Sequence, residues 1–85
     1  MMDPDMYLKG IEHCAEKLPQ TLREWHTFDD VLQDEYMEQI NWFIEAYDEQ
    51  CAAASQQGLV PSVVRIIEAK ARILNTLADW ARGRL

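Results

Sequence analysis

Carboxylates are the commonest chemistry this chain can offer. Residues 24–64 contain no Lys or Arg but nine acidic side chains: Glu24, Asp29, Asp30, Asp34, Glu35, Glu38, Glu45, Asp48 and Glu49. Within that stretch Glu35, Glu38, Trp42, Glu45 and Glu49 follow at steps of 3, 4, 3 and 4, the spacing of one helix face. Trp42 therefore stands in the middle of an acidic stripe turned away from the apolar side of its helix, with Asp34 and Asp48 beside it. Like charges one turn apart each cost a helix a few tenths of a kcal/mol, so the pattern is mildly unfavourable by itself. It reads in two ways. It is a solvated face, with Trp42 covered by the first helix or by a second copy and the acids there for solubility. Or it is a contact surface, with Trp42 as the anchor and the carboxylates meeting Arg or Lys of a partner, because aromatic anchors dominate binding energy while charges steer encounter.

Other constellations are weaker. Glu12, His13, Glu16 and His26 include metal-ligand types, but their spacing makes no HExxH, no Glu-x-x-His pair and no EF-hand loop. Cys14 and the adjacent His13 point about 100° apart on a helix, so they do not form a nucleophile and base pair. Ser55 and Ser62 lie beside a loop without a base, and Gly10, Gly58 and Gly83 are isolated, so no loop cradles a phosphate. Cys14 and Cys51 are the only cysteines, have no CxxC spacing and fall on apolar helical stripes; they read as reduced core residues. No catalytic, cofactor or metal residue is assigned, and the expectation is a protein that is not an enzyme and needs no cofactor.

With 85 residues the chain has room for one core, and 48% hydrophobic residues with three Trp, three Tyr and two Phe are enough to build it. One domain spanning residues 1–85 is expected. The formal charge of −7 argues against direct nucleic-acid binding, which draws its affinity from Lys and Arg. The charge is uneven: residues 1–60 hold three basic side chains against 13 acidic ones, net −10, while residues 61–85 hold five against two, net +3. An acidic stripe can also stand in for phosphates and occupy the basic groove of a nucleic-acid-handling protein. In size and composition the chain resembles small acidic inhibitors made by bacterial viruses, including many anti-CRISPR proteins, and that resemblance implies an anti-defence inhibitor acting as a nucleic-acid mimic. No run approaches the ~18 apolar residues of a membrane span, and the start Met1-Met2-Asp3-Pro4-Asp5 is acidic where a signal peptide is basic, so a cytoplasmic protein without membrane contact is expected.

The elements that must carry these residues are all helical. Asp3-Pro4 opens a first helix whose apolar face is Tyr7, Ile11, Cys14 and Leu18, and Pro19 is expected to end it there, bending the chain into one or two further turns up to His26. Thr27-Phe28-Asp29-Asp30 resembles a capping box with Thr27 as the cap. From 28 to about 57 nothing interrupts a core stripe of Leu32, Tyr36, Ile40, Phe43, Tyr47, Cys51 and Ala54, giving one helix about 45 Å long. Gly58 stops it and Pro61 opens the last helix, 61–81. There Val64, Ile67, Ala71, Leu74, Ala78 and Ala81 read as the core stripe, flanked by Val63, Ile66, Ile73, Leu77 and Trp80, so the apolar arc spans roughly 200°. Lys70 sits inside that arc, with its stem along the core and its ammonium reaching for water or for Glu45 or Asp48.

The expected architecture is all-α: a three- to four-helix bundle built on a long antiparallel hairpin, about 28–57 and 61–81, with a Pro19-bent N-terminal segment packed across it. The leading function is a protein-binding inhibitor or adaptor that meets a basic partner surface through Asp34, Glu35, Glu38, Trp42, Glu45, Asp48 and Glu49. The alternative is an assembly protein, with Val63, Ile66, Ile73, Leu77 and Trp80 as homo-oligomer contacts and a homodimer as the product.

Overall fold

The computed structural model describes residues 3–85; Met1 and Met2, which open the acidic N-terminal run, lie outside them. Four α-helices, α1 (Pro4–Arg23), α2 (Asp30–Glu45), α3 (Tyr47–Gln56) and α4 (Val60–Ala81), form an all-α bundle, with one 3-10 turn at Trp25–Thr27.

α1 begins as the sequence dictates. The Asp3 carboxylate accepts from the Asp5 N–H at 2.9 Å, Pro4 takes the first turn, and Lys9 pairs with Asp5 at 3.3 Å. The helix then bends at Pro19 but does not end there, continuing to Arg23. Pro19 removes one ladder hydrogen bond, yet Leu18 and Leu22 on either side of it are both buried, and that burial outweighs the lost bond. The inward face is Tyr7, Leu8, Ile11, Ala15, Leu18 and Leu22. Ala15 thus takes the deep position expected for Cys14, which is only half-buried.

The corner after α1 differs from the expected capping box. The Thr27 hydroxyl donates backwards to the Glu24 carbonyl at 2.6 Å, and it is Asp29 that caps α2, accepting from the Leu32 N–H at 2.8 Å. Phe28, in extended backbone, separates the two roles. The Gln33 amide donates to the Trp25 and Phe28 carbonyls, and Trp25, Phe28, Tyr36 and Trp80 pack ring on ring around the corner.

The expected 28–57 helix is two helices, divided at Ala46. Its cause lies across the core: the Tyr7 hydroxyl donates to the Phe43 carbonyl at 2.6 Å, inserting a side chain into the ladder just before the break. Gly10 permits the approach, since a Cβ there would meet two ring carbons of Phe43 at 3.0 Å. α3 ends in a Schellman turn, with Gly58 at φ 72°, its N–H on the Ser55 carbonyl and the Leu59 N–H on the Ala54 carbonyl; Gly83 ends α4 in the same way.

α1 is the central helix. It runs antiparallel to α2, with Tyr7 meeting Phe43 and Trp25 meeting Tyr36, and parallel to α4, with Glu12 meeting Arg65 and Trp25 meeting Trp80. α3 and α4 make the antiparallel hairpin, and α1 and α3 are the neighbours α4 packs on most. The core-facing residues of α4 are Ile66, Ala69 and Ile73. This corrects both assignments on that helix. Val64, Ile67 and Leu74 of the expected core stripe are exposed, while Ile66 and Ile73, expected as oligomer contacts, are fully buried, and Val63, Leu77 and Trp80 pack partly buried against the same core. Two contacts fix this rotation from opposite flanks: Arg65 holds Glu12 of α1 through two hydrogen bonds, and Lys70 lies over Tyr47 of α3. The Cα atoms fill a slab of 42 × 25 × 16 Å with a radius of gyration of 13.6 Å. A compact chain of this length would have a radius of about 12 Å, so the molecule is flat and extended.

Candidate partner-binding face

The acidic stripe is built by α2 and α3, and the Trp42 ring at its centre leans onto Tyr7 of α1. Asp34, Glu35, Glu38, Glu45, Asp48 and Glu49 are all exposed, and Trp42 among them is 43% exposed. The Ala46 break does not interrupt the lane, because Ala46 keeps right-handed helical φ and ψ and bonds on both sides, to the Trp42 carbonyl and from the Gln50 N–H. Among the described residues the ion pairs are Lys9 with Asp5 and Arg65 with Glu12, so none of the lane's carboxylates is paired with a described cation.

Trp42 is held from behind. Its ring centroid lies 5.1 Å from Phe43, edge to face, and 6.2 Å from Tyr7. Tyr7 is fully buried and hydrogen-bonded, so the outer ring rests on a fixed inner one. A half-covered indole with a rigid back spends little entropy on being ordered when something packs on its open face. Sequence reading missed Val31, which is exposed one turn before Glu35 and adds a second apolar point to the lane; the four-residue step from Val31 to Glu35 was the available signal.

The expected reach of Lys70 to Glu45 or Asp48 does not occur. Its Nζ sits 3.7 Å over the Tyr47 ring, a cation–π contact that leaves both acids free.

The groups weighed for catalysis and metal binding stand apart from this face. A cleft of about 300 Å³ between α1 and α2 is lined by His13, Cys14, Lys17, Leu18, Thr21, Tyr36, Gln39 and Ile40. Burial pushes the Cys14 thiol above its ordinary pKa, which lowers the thiolate fraction and with it the nucleophilicity at neutral pH. Glu12 is taken up by Arg65, and among the described residues no three His, Cys, Asp or Glu side chains come together as a metal site. Cys14 and Cys51 are both free thiols. No helix among the described residues is long and apolar enough to cross a membrane.

No protein-family model, curated protein or solved structure matches this chain. The fold and this face therefore stand as a small all-helical domain carrying an aromatic residue in an acidic lane.

Proposed function

We propose that the chain is a cytoplasmic binding module, an inhibitor or adaptor that engages a basic surface of a larger protein through the lane Asp34, Glu35, Glu38, Trp42, Glu45, Asp48 and Glu49. The observation that carries this reading is Trp42, a half-exposed indole backed by Tyr7 and Phe43 and ringed by carboxylates that pair with no cation among the described residues. Burying the indole's open face supplies affinity, and the carboxylates supply attraction and orientation. Acids at steps of 3 and 4 along two nearly continuous helices form a line of negative charge, the property a groove for nucleic acid selects, so a nucleic-acid-handling protein is the kind of partner the lane fits best.

The test is affinity capture from cell extract with the wild-type protein beside the Trp42→Ala, Glu38→Lys variant, each checked for helical content by circular dichroism. A basic partner recovered with the wild type and lost with the equally helical variant is the expected result. Recovery of the same partners in equal amounts by both would remove the lane from the function.

A further inference from the structure

α4 has a second apolar face that the bundle does not use. Val60, Val64, Ile67, Ala71 and Leu74 follow at steps of 4, 3, 4 and 3, which is the 3.5-residue repeat of a coiled-coil seam. Val60 is 65% exposed, Val64 47%, Ile67 46% and Leu74 44%. At 100° per residue this row stands roughly 150° around the helix from Ile66, Ala69 and Ile73, so one helix cannot bury both rows against the same neighbours.

We propose that this row is the interface of a symmetric homodimer in which α4 of one chain lies antiparallel on α4 of a second, with Ala71 at the twofold axis. Charge selects the occupant and its direction. Glu68, Arg72 and Asp79 border the row and make no ion pair within the described residues. With Ala71 opposite Ala71, Val64 comes level with the second copy's Ala78, and Glu68 lies two residues, about 3 Å along the axis, from the second copy's Arg72. Arg65, held on Glu12 of its own chain, takes no part in this pairing. Parallel pairing would set Arg72 beside Arg72 and Glu68 beside Glu68. The antiparallel arrangement also brings Arg82 and Arg84 to the C-terminal end of the second copy's α3, where carbonyl dipoles favour positive charge.

Size agrees with this occupant. A 22-residue helix is about 33 Å long and about 12 Å wide, so two such faces remove on the order of 1,000 Å² in total once side-chain relief is counted. That is the lower edge of the range for a specific interface, and it fits a dimer that forms at micromolar concentration. Ala71, small and central, lets the two backbones approach closely. The exposure of Val60, Val64, Ile67 and Leu74 leaves this side of α4 open to receive the second copy.

Sedimentation equilibrium from low micromolar to submillimolar concentration tests the proposal. The expected wild-type mass rises to twice the 9.9 kDa of one chain. Ile67→Glu should hold the mass at one chain throughout with an unchanged helical spectrum, since its side chain is exposed in the monomer. Glu68→Arg should weaken the dimer roughly tenfold, and Glu68→Arg with Arg72→Glu should restore it, because the two positions exchange partners across the axis. A wild type that stays at one chain's mass overturns the proposal, as does a dimer untouched by Ile67→Glu or a double variant no stronger than Glu68→Arg. Trp42→Ala should leave the mass unchanged, which keeps this interface separate from the acidic lane.

Discussion

Replacing Tyr7 by Phe removes one oxygen atom from the centre of the bundle, and its consequence should change sign with pH. The Tyr7 side chain is fully buried, and its hydroxyl donates to the Phe43 carbonyl at 2.6 Å. Near neutral pH the loss of that bond should cost about 1 kcal/mol. Burial, with smaller contributions from Cys51 and Tyr47, pushes the Tyr7 phenol up to about 12. The unfolded chain ionises the same group near 10. Between those values the unfolded state binds fewer protons than the folded one, so stability falls as pH rises, by up to about 1.4 kcal/mol per pH unit and about 2.7 kcal/mol in all. Below pH 10 this penalty is absent. Tyr7→Phe cannot ionise and escapes it, so the variant should be less stable than wild type at pH 8, equal near pH 11 and more stable at pH 12. Urea unfolding of both proteins across that range measures the difference directly. A difference that stays constant with pH would refute the argument, because it would mean that the hydroxyl is not buried in the folded chain.

Three further substitutions test the packing. Ile73→Ala should cost about 2–5 kcal/mol by urea unfolding, while Leu74→Ala, its exposed neighbour, should cost less than about 1 kcal/mol at a concentration that keeps the chain monomeric; a reversed order would mean that α4 is rotated from the position described. Gly10→Ala gains up to about 1 kcal/mol of helix propensity but drives a methyl to 3.0 Å from two ring carbons of Phe43, whose ring is fixed between Tyr7 and Trp42. The expected balance is a loss of about 1 kcal/mol in the same assay, and a more stable variant would show that the Phe43 ring has room to move.

Features that depend on neighbours in the chain were legible in the sequence. Asp3-Pro4 opens α1 and Gly58 closes α3 because caps and Schellman turns are made within five or six residues. Features made by distant residues were not. Ala46 has nothing breaking about it; the division there comes from Tyr7, whose hydroxyl bonds to Phe43 36 residues away. Pro19 reads as a stop, and only the burial of Leu18 and Leu22 against other helices lets α1 pass it. The rotation of α4 was undecidable for a related reason. Both of its rows are apolar at helical spacing, so periodicity allows either to face inward, and Arg65 on Glu12 and Lys70 on Tyr47 make the choice. The exposure of the lane's seven members follows from helical spacing, whereas the contact of Trp42 with Tyr7, 35 residues away, does not.

The helices that carry the lane are also the weakly supported part of the bundle. α1 and α4 share the largest interface, whereas α2 meets α1 along a cleft and buries only Ile40 and Phe43. Its other supports are local or single: the Asp29 cap, the Gln33 amide on the corner carbonyls, and the Tyr7 hydroxyl at Phe43. Repulsion among Asp34, Glu35, Glu38 and Glu45 works against this helix at a few tenths of a kcal/mol for each close pair. A partner that lines the lane with Arg or Lys removes that repulsion and covers Trp42, and it does so only when α2 is helical. On the proposed reading, then, binding and the stability of α2 are linked, and the partner stabilises the helix by as much as the helix's formation strengthens binding. Carboxylates that weaken an isolated domain in this way are put to use when the cations that complete them are supplied by another molecule.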